Sequence, residues 1–317
     1  MNKVNGQKVS FPTLIPESLM KISGRWEGND NLFKLKDRHS SSFCLGATHE
    51  EVATSVMSNN IISHKTLPLC IYQISSKFRD EMNPKLGLLR GKEFLMKDMY
   101  SFDSSEENSL LTYESVCRIY HEFFHILGID IIKIFLYGEI IECYEILYCP
   151  KCHSGINKEL HGTTYSAPFQ KAKFDSSKGG SEILHMGCYG LGLSRILAAS
   201  VEYLSNANSI RWPFLLSPYY VSVIPPKKGS KEESVRPFAD SLAESLNKIS
   251  WLNSNVIIDD RTNLTIGKRL NEVSALGIPY VVVVSKPALG DIPQLEVIDV
   301  YKNQTTFLSH KETLEFF

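Results

Sequence analysis

The hydrophobic positions in the first third of the chain occur in short segments separated by proline, glycine and charged turns. This pattern runs to about Asp103 and predicts antiparallel β-structure, with a helix beginning after Thr48. In the clearest segment, apolar and polar residues alternate with the period of a half-buried strand, so the polar members share one face. The apolar set is Cys70, Tyr72, Ile74 and Phe78, and the polar set is Gln73, Ser75, Lys77 and Arg79. The alternation therefore places Arg79 on the polar face of a strand.

A second apolar segment, EFLMKDMYSF, follows after a turn-rich stretch. Two such segments joined by a loop that contains Pro84, Gly87 and Gly91 predict a long hairpin over residues 69–102. Helical periodicity follows over residues 106–127, whereas residues 131–178 carry no clear pattern.

The pattern changes again from Tyr219, where β-branched segments alternate with helical ones. The strand segments VSVIPP, NVIIDD and YVVVVS are separated by helices predicted at about 231–248 and 266–276. This alternation predicts a compact α/β domain with a largely buried sheet. With the boundary near Ser217, the chain divides into a mainly antiparallel domain, residues 1–216, and an α/β domain, residues 217–317.

Length and charge fit this division and exclude several classes of protein. The 317 residues are enough for about two domains, and 34 basic against 35 acidic residues exclude a protein that holds polyanions by bulk charge alone. Seven irregularly spaced cysteines favour free thiols in a reducing compartment. Charged residues interrupt the most apolar stretch, residues 126–147, so we expect no contact with a membrane. The first residues, MNKVNGQKVSFPT, lack the layout of a signal or transit peptide.

Two patterns suggest zinc, but each has a plainer explanation. Residues 121–125, HEFFH, match the HExxH pattern, in which two imidazoles lie one helical turn apart. An amphipathic helix explains them better, because it leaves the histidines on its polar face. Its inward positions would be Val116, Tyr120, Phe123, Phe124 and Leu127.

Cys149 and Cys152 have the spacing of a zinc knuckle, but the sequence has no second such pair to complete four ligands, so we expect no metal site.

Residues 48–51, THEE, have the pattern of a capping box at the start of a helix. In such a box Thr48 accepts a hydrogen bond from the third backbone amide of the helix, and Glu51 reaches back. The box leaves Glu50 unexplained, and its carboxylate could point into a site.

Glycines and arginines give the strongest indication of a ligand. Residues 187–195, GCYGLGLSR, enter a helix, but no ribose-binding carboxylate follows on a strand, which disfavours a dinucleotide site. The glycines permit either close approach of a ligand or tight helix packing, and Arg195 offers a fork for phosphate. Arg79 and Arg90 lie at the mouth of the predicted hairpin, and Phe94 follows them. The two guanidinium groups would suit phosphates, and the face of the aromatic ring would suit a base. The alternative is an exposed charged hairpin that binds no ligand. Arg195 adds a third arginine to Arg79 and Arg90, and together with Phe94 these residues favour nucleotide chemistry.

These strings resemble the signature of the class II aminoacyl-tRNA synthetases. Three longer strings, ATHEEVAT, YQISSKFRDEMNPKLGLLRGKEFLMKDMYSFD and MGCYGLGLSRILAASVE, are similar to prolyl-tRNA synthetases of the bacterial and mitochondrial type. With RWPFLLSPYYVSVIPPKKGSKE and DDRTNLTIGKRL, the similarity is greatest to the mitochondrial enzymes and covers most of the chain. The implied fold is α+β, a class II synthetase antiparallel-sheet catalytic domain followed by an α/β anticodon-binding domain.

The resemblance implies roles for individual residues. Pro12 would be the motif 1 proline at a dimer interface. Thr48 and Glu50 would contact the prolyl group, Glu50 through its amine. Arg79 would bind the α-phosphate and the substrate carboxylate, and together with Arg195 it is an implied catalytic residue.

Further residues are implied in ATP and tRNA binding. Glu81 and Arg90 would bind the nucleotide, Phe94 would stack on adenine, and Arg195 would hold the γ-phosphate. The matching segment of the anticodon-binding domain contains Asp259, Arg261, Gly267 and Lys268.

The implied activity is that of a proline–tRNA ligase. The proline carboxylate would attack the α-phosphorus of ATP while Arg79 and Mg²⁺ stabilise the phosphoryl oxygens, and a tRNA(Pro) 3′-terminal hydroxyl would then accept the prolyl group. The resemblance further implies a homodimer in the mitochondrial matrix.

The sequence departs from this family at several points. It begins inside motif 1, residues 103–186 are too few for a large editing insertion, and a glycine-rich segment ending in Ser-His-Glu-Phe is missing. The Gly-His segment that helps to close the proline pocket is reduced to residues 160–166. A second hypothesis is therefore a synthetase-like protein that binds nucleotide or tRNA without aminoacylation, and a metalloprotease is a distant third.

Charge limits how the second domain would bind tRNA. Residues 219–317 contain 11 basic and 12 acidic residues, so binding would depend on base contacts and local patches. The patches we expect are formed by Lys227, Lys228 and Lys231 or by Lys268 and Arg269.

Overall fold

The computed structural model describes residues 1–60, 62–85, 87–131, 172–177 and 179–317, and the backbone of four short strands between residues 142 and 163. Contacts divide the chain into an N-terminal unit, Met1–Ala199, and a C-terminal unit, Ser200–Phe317. The pair Cys149 and Cys152 lies outside the described residues, as do residues 160–166 apart from the backbone of one strand. In the part of the chain that is described, no helix is both long and apolar enough to cross a membrane.

The helices and strands are numbered along the chain. The helices are α1 Glu17–Ile22, α2 Arg25–Gly28, α3 Glu50–Ser58, α4 Glu106–Ile126, α5 Leu193–Leu204, α6 Arg236–Asn247, α7 Ile266–Leu276 and α8 His310–Phe316. The strands are β1 Gln7–Lys8, β2 Leu14–Pro16, β3 Lys34–Lys36, β4 Ser42–Leu45, β5 Ile62–Ser63, β6 Leu69–Phe78, β7 Glu93–Asp103, β8 Glu142–Cys143, β9 Ile146–Tyr148, β10 Gly155–Asn157, β11 Gly162–Thr163, β12 Lys173–Asp175, β13 Ser181–Ile183, β14 His185–Gly192, β15 Val221–Ile224, β16 Val256–Ile258, β17 Tyr280–Val283, β18 Gln294–Asp299 and β19 Gln304–Ser309.

A four-stranded sheet, in the order β1-β6-β7-β14, forms the centre of the N-terminal unit. The predicted hairpin is confirmed, because β6 and β7 pair antiparallel from Leu69 opposite Phe102 to Phe78 opposite Glu93. Strand β14 pairs antiparallel with the other edge of β7 and continues directly into α5. The sheet therefore brings the ends of the hairpin and the start of α5 together.

The polar face of this sheet is buried around Gln73 and Lys77, in addition to the face on which α4 packs. Gln73 and Lys77 are 1% and 0% exposed, whereas Ile74, on the opposite face, is 46% exposed. The alternation correctly predicts which residues share a face. It does not predict that these polar side chains are buried, because that depends on the distant residues His49 and Asp98 that contact them.

Helix α4 packs on the other face of the sheet. Its predicted inward positions Val116, Tyr120, Phe124 and Leu127 are buried, while Phe123 is only half-buried. His121 and His125 are exposed, and Glu122 between them forms an ion pair with Lys3. The amphipathic prediction for this helix is therefore confirmed.

The C-terminal unit contains a five-stranded sheet in the order β16-β15-β17-β18-β19. The first three strands are parallel and the last two are antiparallel, so the predicted α/β pattern is confirmed and gains an unpredicted antiparallel edge. Helix α7 begins and ends at the predicted residues. The β-branched runs of β15 and β17 are buried because helices and loops cover both faces of the parallel part.

Candidate active site

Arg79 and Phe94 lie side by side at the end of the hairpin. Arg79 directly follows β6 and keeps its alternation, and Lys77 is directly opposite Phe94, so both side chains are on the polar face. The guanidinium carbon of Arg79 is 5.3 Å from the centre of the Phe94 ring. The amide of Arg79 donates to the carbonyl of Lys92 at 2.8 Å, which closes the hairpin at this point. A permanent cation is thus held beside an aromatic face.

Glu81 and Arg90 form an ion pair across the hairpin loop. Two nitrogens of Arg90, Nε and Nη2, lie 2.9 and 2.8 Å from Oε2 of Glu81. The Glu81 side chain is 11% exposed and that of Arg90 is 52% exposed. The buried carboxylate therefore orients an arginine that remains accessible to solvent.

Arg195 reaches from the first turn of α5 to the hairpin loop. Its Nε donates to the carbonyl of Leu89 at 2.8 Å. The neighbouring Ser194 hydroxyl accepts a hydrogen bond from the amide of Leu95 at 3.0 Å. The start of α5 is thereby attached to the loop and to β7, which brings Arg195 to the end of the hairpin that also holds Arg90.

The glycines of β14 serve two different purposes. A Cβ atom at Gly187 would lie 2.4 Å from Oη of Tyr189, so internal packing requires this glycine. At Gly190 and Gly192 the nearest heavy atoms would be at 3.5 and 3.7 Å, an ordinary contact distance. These two glycines are in register with Asp98 and Met96 on the polar face. Packing against Tyr189 and Ser101 thus accounts for Gly187, while close approach of a ligand at Gly190 and Gly192 stays a prediction.

Thr48 and Glu50 are held by Arg25, a residue that the sequence interpretation missed. One Arg25 nitrogen, Nη2, donates to the Thr48 hydroxyl at 2.9 Å, and another, Nη1, donates to Oε2 of Glu50 at 2.9 Å. Nη1 also lies 3.1 Å from Oε1 of Glu51. A single guanidinium therefore organises the turn that precedes α3.

The predicted capping box at this turn is wrong. Helix α3 begins at Glu50, its N-cap is His49, and no side chain caps it. The Thr48 hydroxyl donates to the Glu50 carboxylate, and Glu51 accepts from the Ser23 hydroxyl at 2.7 Å as well as from Arg25. The box does not form because a distant arginine offers the carboxylates a stronger, charged partner.

The charges of this cluster favour a cationic ligand. Burial acts to raise the pKa of Glu50, but the Arg25 charge and the Thr48 hydroxyl together lower that pKa below its ordinary value. Burial raises the pKa of Glu51, and Arg25 opposes this only in part. Glu50 is therefore the stronger acid of the pair. An ammonium group that approached it would meet a carboxylate.

Pro12 lies close to this turn. It is exposed, and its carbonyl oxygen is 3.0 Å from Nε2 of His49. His49, Lys77 and Asp98 are buried polar residues around the turn that the sequence interpretation did not select. The available signal was the polar half of the β6 alternation, which contains Lys77.

The C-terminal unit holds the second predicted set around the start of α7. Arg261 binds Asp259 through two nitrogens at 2.7 and 2.9 Å and also forms an ion pair with Glu272. Burial acts to raise the pKa of Asp259, but the bonds from Arg261 lower it overall. Gly267 and Lys268 are exposed in the first turn of α7. Asp259 thus orients Arg261, while the other two face solvent.

The proposed basic patch containing Arg269 is wrong. Arg269 is 0% exposed, and its guanidinium donates to the carbonyls of Asp259 at 3.1 Å and Pro225 at 2.6 Å. It is buried because it satisfies backbone carbonyls just beyond the ends of β15 and β16. Lys227, Lys228, Lys231 and Lys268 are exposed.

Two family profiles together match most of the chain. The tRNA synthetase class II core domain (G, H, P, S and T) matches residues 33–204. An anticodon binding domain matches residues 220–317. The first match covers the hairpin, the turn before α3 and α5, and the second covers the five-stranded sheet.

Individual relatives extend this similarity along almost the whole chain. A probable mitochondrial proline–tRNA ligase of Rattus norvegicus is 40% identical, over 99% of this chain and 76% of the relative. The corresponding Homo sapiens protein is 38% identical, over 98% of this chain and 74% of the relative. A proline–tRNA ligase from the Wolbachia of Drosophila simulans is 28% identical, over 96% of this chain and 82% of the relative.

Solved structures share the fold at lower sequence identity. A prolyl-tRNA synthetase of Cryptosporidium parvum, complexed with halofuginone and AMPPNP, matches with a TM-score of 0.86 and 18% identity, covering 99% of this chain and 67% of that one. The Giardia lamblia prolyl-tRNA synthetase in complex with prolyl-adenylate matches with a TM-score of 0.86 and 20% identity, covering 99% and 66%.

Proposed function

The chain belongs to the proline–tRNA ligases, which are class II aminoacyl-tRNA synthetases, and on this premise we propose that it joins proline to the 3′ end of tRNA(Pro) through a prolyl-adenylate. ATP is consumed in the first step, and the prolyl group is transferred in the second. The polar face of the β6–β7–β14 sheet would be the place of the first step.

One observation carries this assignment, the convergence of both kinds of binding group on that face. Arg79 and Phe94 lie on it, and the turn before α3 presents Glu50 near it. Lys77 connects the two, since it shares the face of Arg79 and its ammonium lies 3.0 Å from Nδ1 of His49, the residue before Glu50. A phosphate-binding arginine and an amine-binding carboxylate are thus near neighbours.

In the activation step, an oxygen of the proline carboxylate attacks the α-phosphorus of ATP in line. The carboxyl–phosphate bond forms while the bond from that phosphorus to the pyrophosphate oxygen breaks, and pyrophosphate leaves. We assign to Arg79 the stabilisation of the negative charge on the non-bridging oxygens. Phe94 would stack on adenine, Glu81 would orient Arg90 toward the nucleotide, and Arg195 would bind the γ-phosphate.

The turn before α3 would bind the prolyl group. Glu50, held ionised by Arg25, would accept the hydrogen bonds of the secondary ammonium, and Thr48 would contact the ring side. Arg25 itself would be a positioning residue, because it fixes both side chains at once. This orientation would point the substrate carboxylate at Arg79.

Magnesium accompanies ATP in this class of reaction, where it neutralises phosphate charge. Protein sites for Mg²⁺ usually supply only one or two carboxylates beside the phosphates. Among the described residues, no group of three or more His, Cys, Asp or Glu side chains could hold a metal ion. We propose that Mg²⁺ enters with ATP and would be held mainly by its phosphates, and none of the steps above is routed through it.

The transfer step would require the C-terminal unit to hold tRNA. The 3′-terminal ribose hydroxyl attacks the prolyl-adenylate carbonyl carbon, and AMP leaves. We propose that Asp259, Arg261, Gly267 and Lys268 belong to the anticodon-binding surface, in a domain spanning residues 217–317. The exposed Arg261 and Lys268 would supply its positive charge.

The similarity to mitochondrial relatives supports a mitochondrial location, which we propose to be the matrix. We also propose a homodimer with Pro12 at its interface, because this proline is exposed in the single chain.

Exchange of labelled pyrophosphate into ATP tests the proposal directly. We expect incorporation that depends on L-proline and saturates with it. Arg79→Ala should abolish most of this exchange. The matched control Arg118→Ala removes an exposed arginine from α4, on the opposite face of the sheet, and should leave the rate unchanged.

A folded preparation that shows no exchange above the proline-free blank, at high proline and ATP, would refute the ligase. In that case ATP binding without exchange would support the second hypothesis, a synthetase-like binding protein.

A further inference from the structure

A buried ionic network lies beneath the turn before α3. Lys77 and His49 are 0% and 1% exposed, and Asp98 is 3% exposed. The Lys77 ammonium lies 2.8 Å from Oδ1 of Asp98, 3.0 Å from Nδ1 of His49 and 2.8 Å from the Ser75 hydroxyl. The ammonium therefore has an ion-pair partner in Asp98 and hydrogen-bond partners in His49 and Ser75.

These contacts fix the orientation of His49. Because Nδ1 accepts from the ammonium, the proton lies on Nε2, which donates to the carbonyl of Pro12 at 3.0 Å. The backbone amide of His49 donates to the Tyr100 hydroxyl, which donates to Oδ2 of Asp98, each at 2.8 Å. The ring of His49 is therefore connected to the Asp98 carboxylate through Lys77, and its backbone amide is connected to the same carboxylate through Tyr100.

Gly46 provides the space for this ring. A Cβ atom at position 46 would lie 2.7 Å from Cε1 and 2.9 Å from Nε2 of His49. The loop is itself held in place, since the Gly46 amide donates to the Thr13 carbonyl at 2.8 Å. The ring thus has one position, bounded by a glycine on one side and the ammonium on the other.

We propose that His49, Lys77 and Asp98 are positioning residues that hold the turn of residues 48–50 in register with Arg79. His49 is the middle residue of that turn, and Lys77 precedes Arg79 by two residues on the same face. The network therefore sets the distance between the groups proposed to bind the two ends of proline. The inference rests on the function proposed above.

Stability alone does not account for such a network. Replacing a buried ion pair with apolar residues is often neutral or stabilising, because desolvation offsets the Coulomb attraction. A displacement of about 1 Å at a reacting group, by contrast, can cost roughly a hundredfold in rate. The nucleotide-binding residues are attached separately, through the hairpin loop and α5, so the network should affect proline far more than ATP.

The test compares KM for L-proline with KM for ATP in pyrophosphate exchange. The double variant Lys77→Met with Asp98→Asn removes the ion pair, and Gly46→Ala crowds the ring while leaving every polar group in place. We expect each to raise KM for proline by about ten- to a hundredfold and to change KM for ATP by less than about threefold. The control Lys3→Met with Glu122→Gln removes an exposed ion pair and should change neither.

Equal changes in both KM values, or an unchanged KM for proline in folded variants, would overturn the inference. If the double variant does not fold, Gly46→Ala decides. Calorimetric titration with L-proline and with ATP separates this inference from the proposed function. If the wild-type chain binds proline but shows no exchange, the ligase proposal is refuted. The inference is then decided by comparing the proline affinities of the variants with that of the wild type. A wild-type chain that does not bind proline overturns both.

Discussion

Replacing Lys97 with methionine should stabilise the protein at neutral pH. Lys97 is 4% exposed on the sheet face that α4 covers, and its ammonium donates to the Tyr120 hydroxyl. None of the salt bridges formed by the described residues includes Lys97. Burial lowers the pKa of Lys97 from 10.5 to about 7, and the nearby Asp98 charge opposes this only in part. The folded state therefore holds this ammonium at a cost.

The sign and size of the effect follow from the two pKa values. The unfolded chain binds more protons than the folded chain between about pH 7 and the unfolded pKa of 10.5, so stability falls as the pH falls through this window. At pH 7 the lowered pKa of Lys97 reduces the free energy of unfolding by about 4 kcal/mol, and at pH 9 this reduction is smaller by about 2 kcal/mol. Methionine removes the penalty but loses the hydrogen bond to Tyr120, about 1–2 kcal/mol. Lys97→Met should therefore be about 2–3 kcal/mol more stable than wild type at pH 7, and nearly equal to it at pH 9.

Urea denaturation followed by circular dichroism at both pH values measures this difference. Subtracting wild type from variant cancels the titration of groups that do not interact with Lys97. The Met1 amine, whose pKa the Lys97 charge helps to lower, contributes a smaller remaining difference. Lys77→Met is the matched contrast, because the ammonium of Lys77 is paired with Asp98. Its loss leaves a buried carboxylate unpaired and should destabilise the protein by about 3–5 kcal/mol. A stability difference for Lys97→Met that is the same at pH 7 and pH 9, or a variant less stable than wild type at pH 7, would refute the reasoning.

Three further predictions concern the site. Arg79→Ala should reduce the exchange rate by about 10²-fold or more, and Arg79→Lys should not restore it, because an ammonium lacks the planar fork; exchange at the wild-type rate in either variant would contradict the assigned role. Arg25→Lys should raise KM for proline more than KM for ATP, because one ammonium cannot reach Thr48, Glu50 and Glu51 together. Steady-state exchange kinetics measure both KM values, and an unchanged KM for proline would contradict the prediction. Arg261→Ala should raise KM for tRNA in aminoacylation and leave tRNA-independent exchange unaffected; a slower exchange would show that its effect is not confined to tRNA.

Local pattern alone was sufficient for the elements that frame the site. The β6–β7 hairpin and helices α4 and α7 were predicted within a few residues of their observed bounds, because alternation, helical period and turn residues are properties of short segments. The long motif strings identified the family for the same reason, since each is contiguous. In the C-terminal unit the antiparallel edge, β18 and β19, was missed, because strand pairing depends on distant partners.

Predictions failed where a long-range partner replaced a local one. The capping box was a sound local expectation, but Glu51 is bound instead by Arg25 and Ser23, more than twenty residues earlier. Arg269 was expected at the surface because arginine usually lies there, yet backbone carbonyls from two strand ends hold it in the interior. In each case the competing partner was invisible to any window of sequence.

The β6 alternation separates the two kinds of information most clearly. By itself the sequence determined that Gln73, Lys77 and Arg79 share a face, because a strand has a fixed period of two. Only the tertiary structure decided that this polar face is buried around Gln73 and Lys77. His49 and Asp98 supply partners for the ammonium of Lys77, and a buried charge is tolerated only where such partners exist. Periodicity is a property of the backbone, whereas burial depends on what the rest of the chain brings to that face.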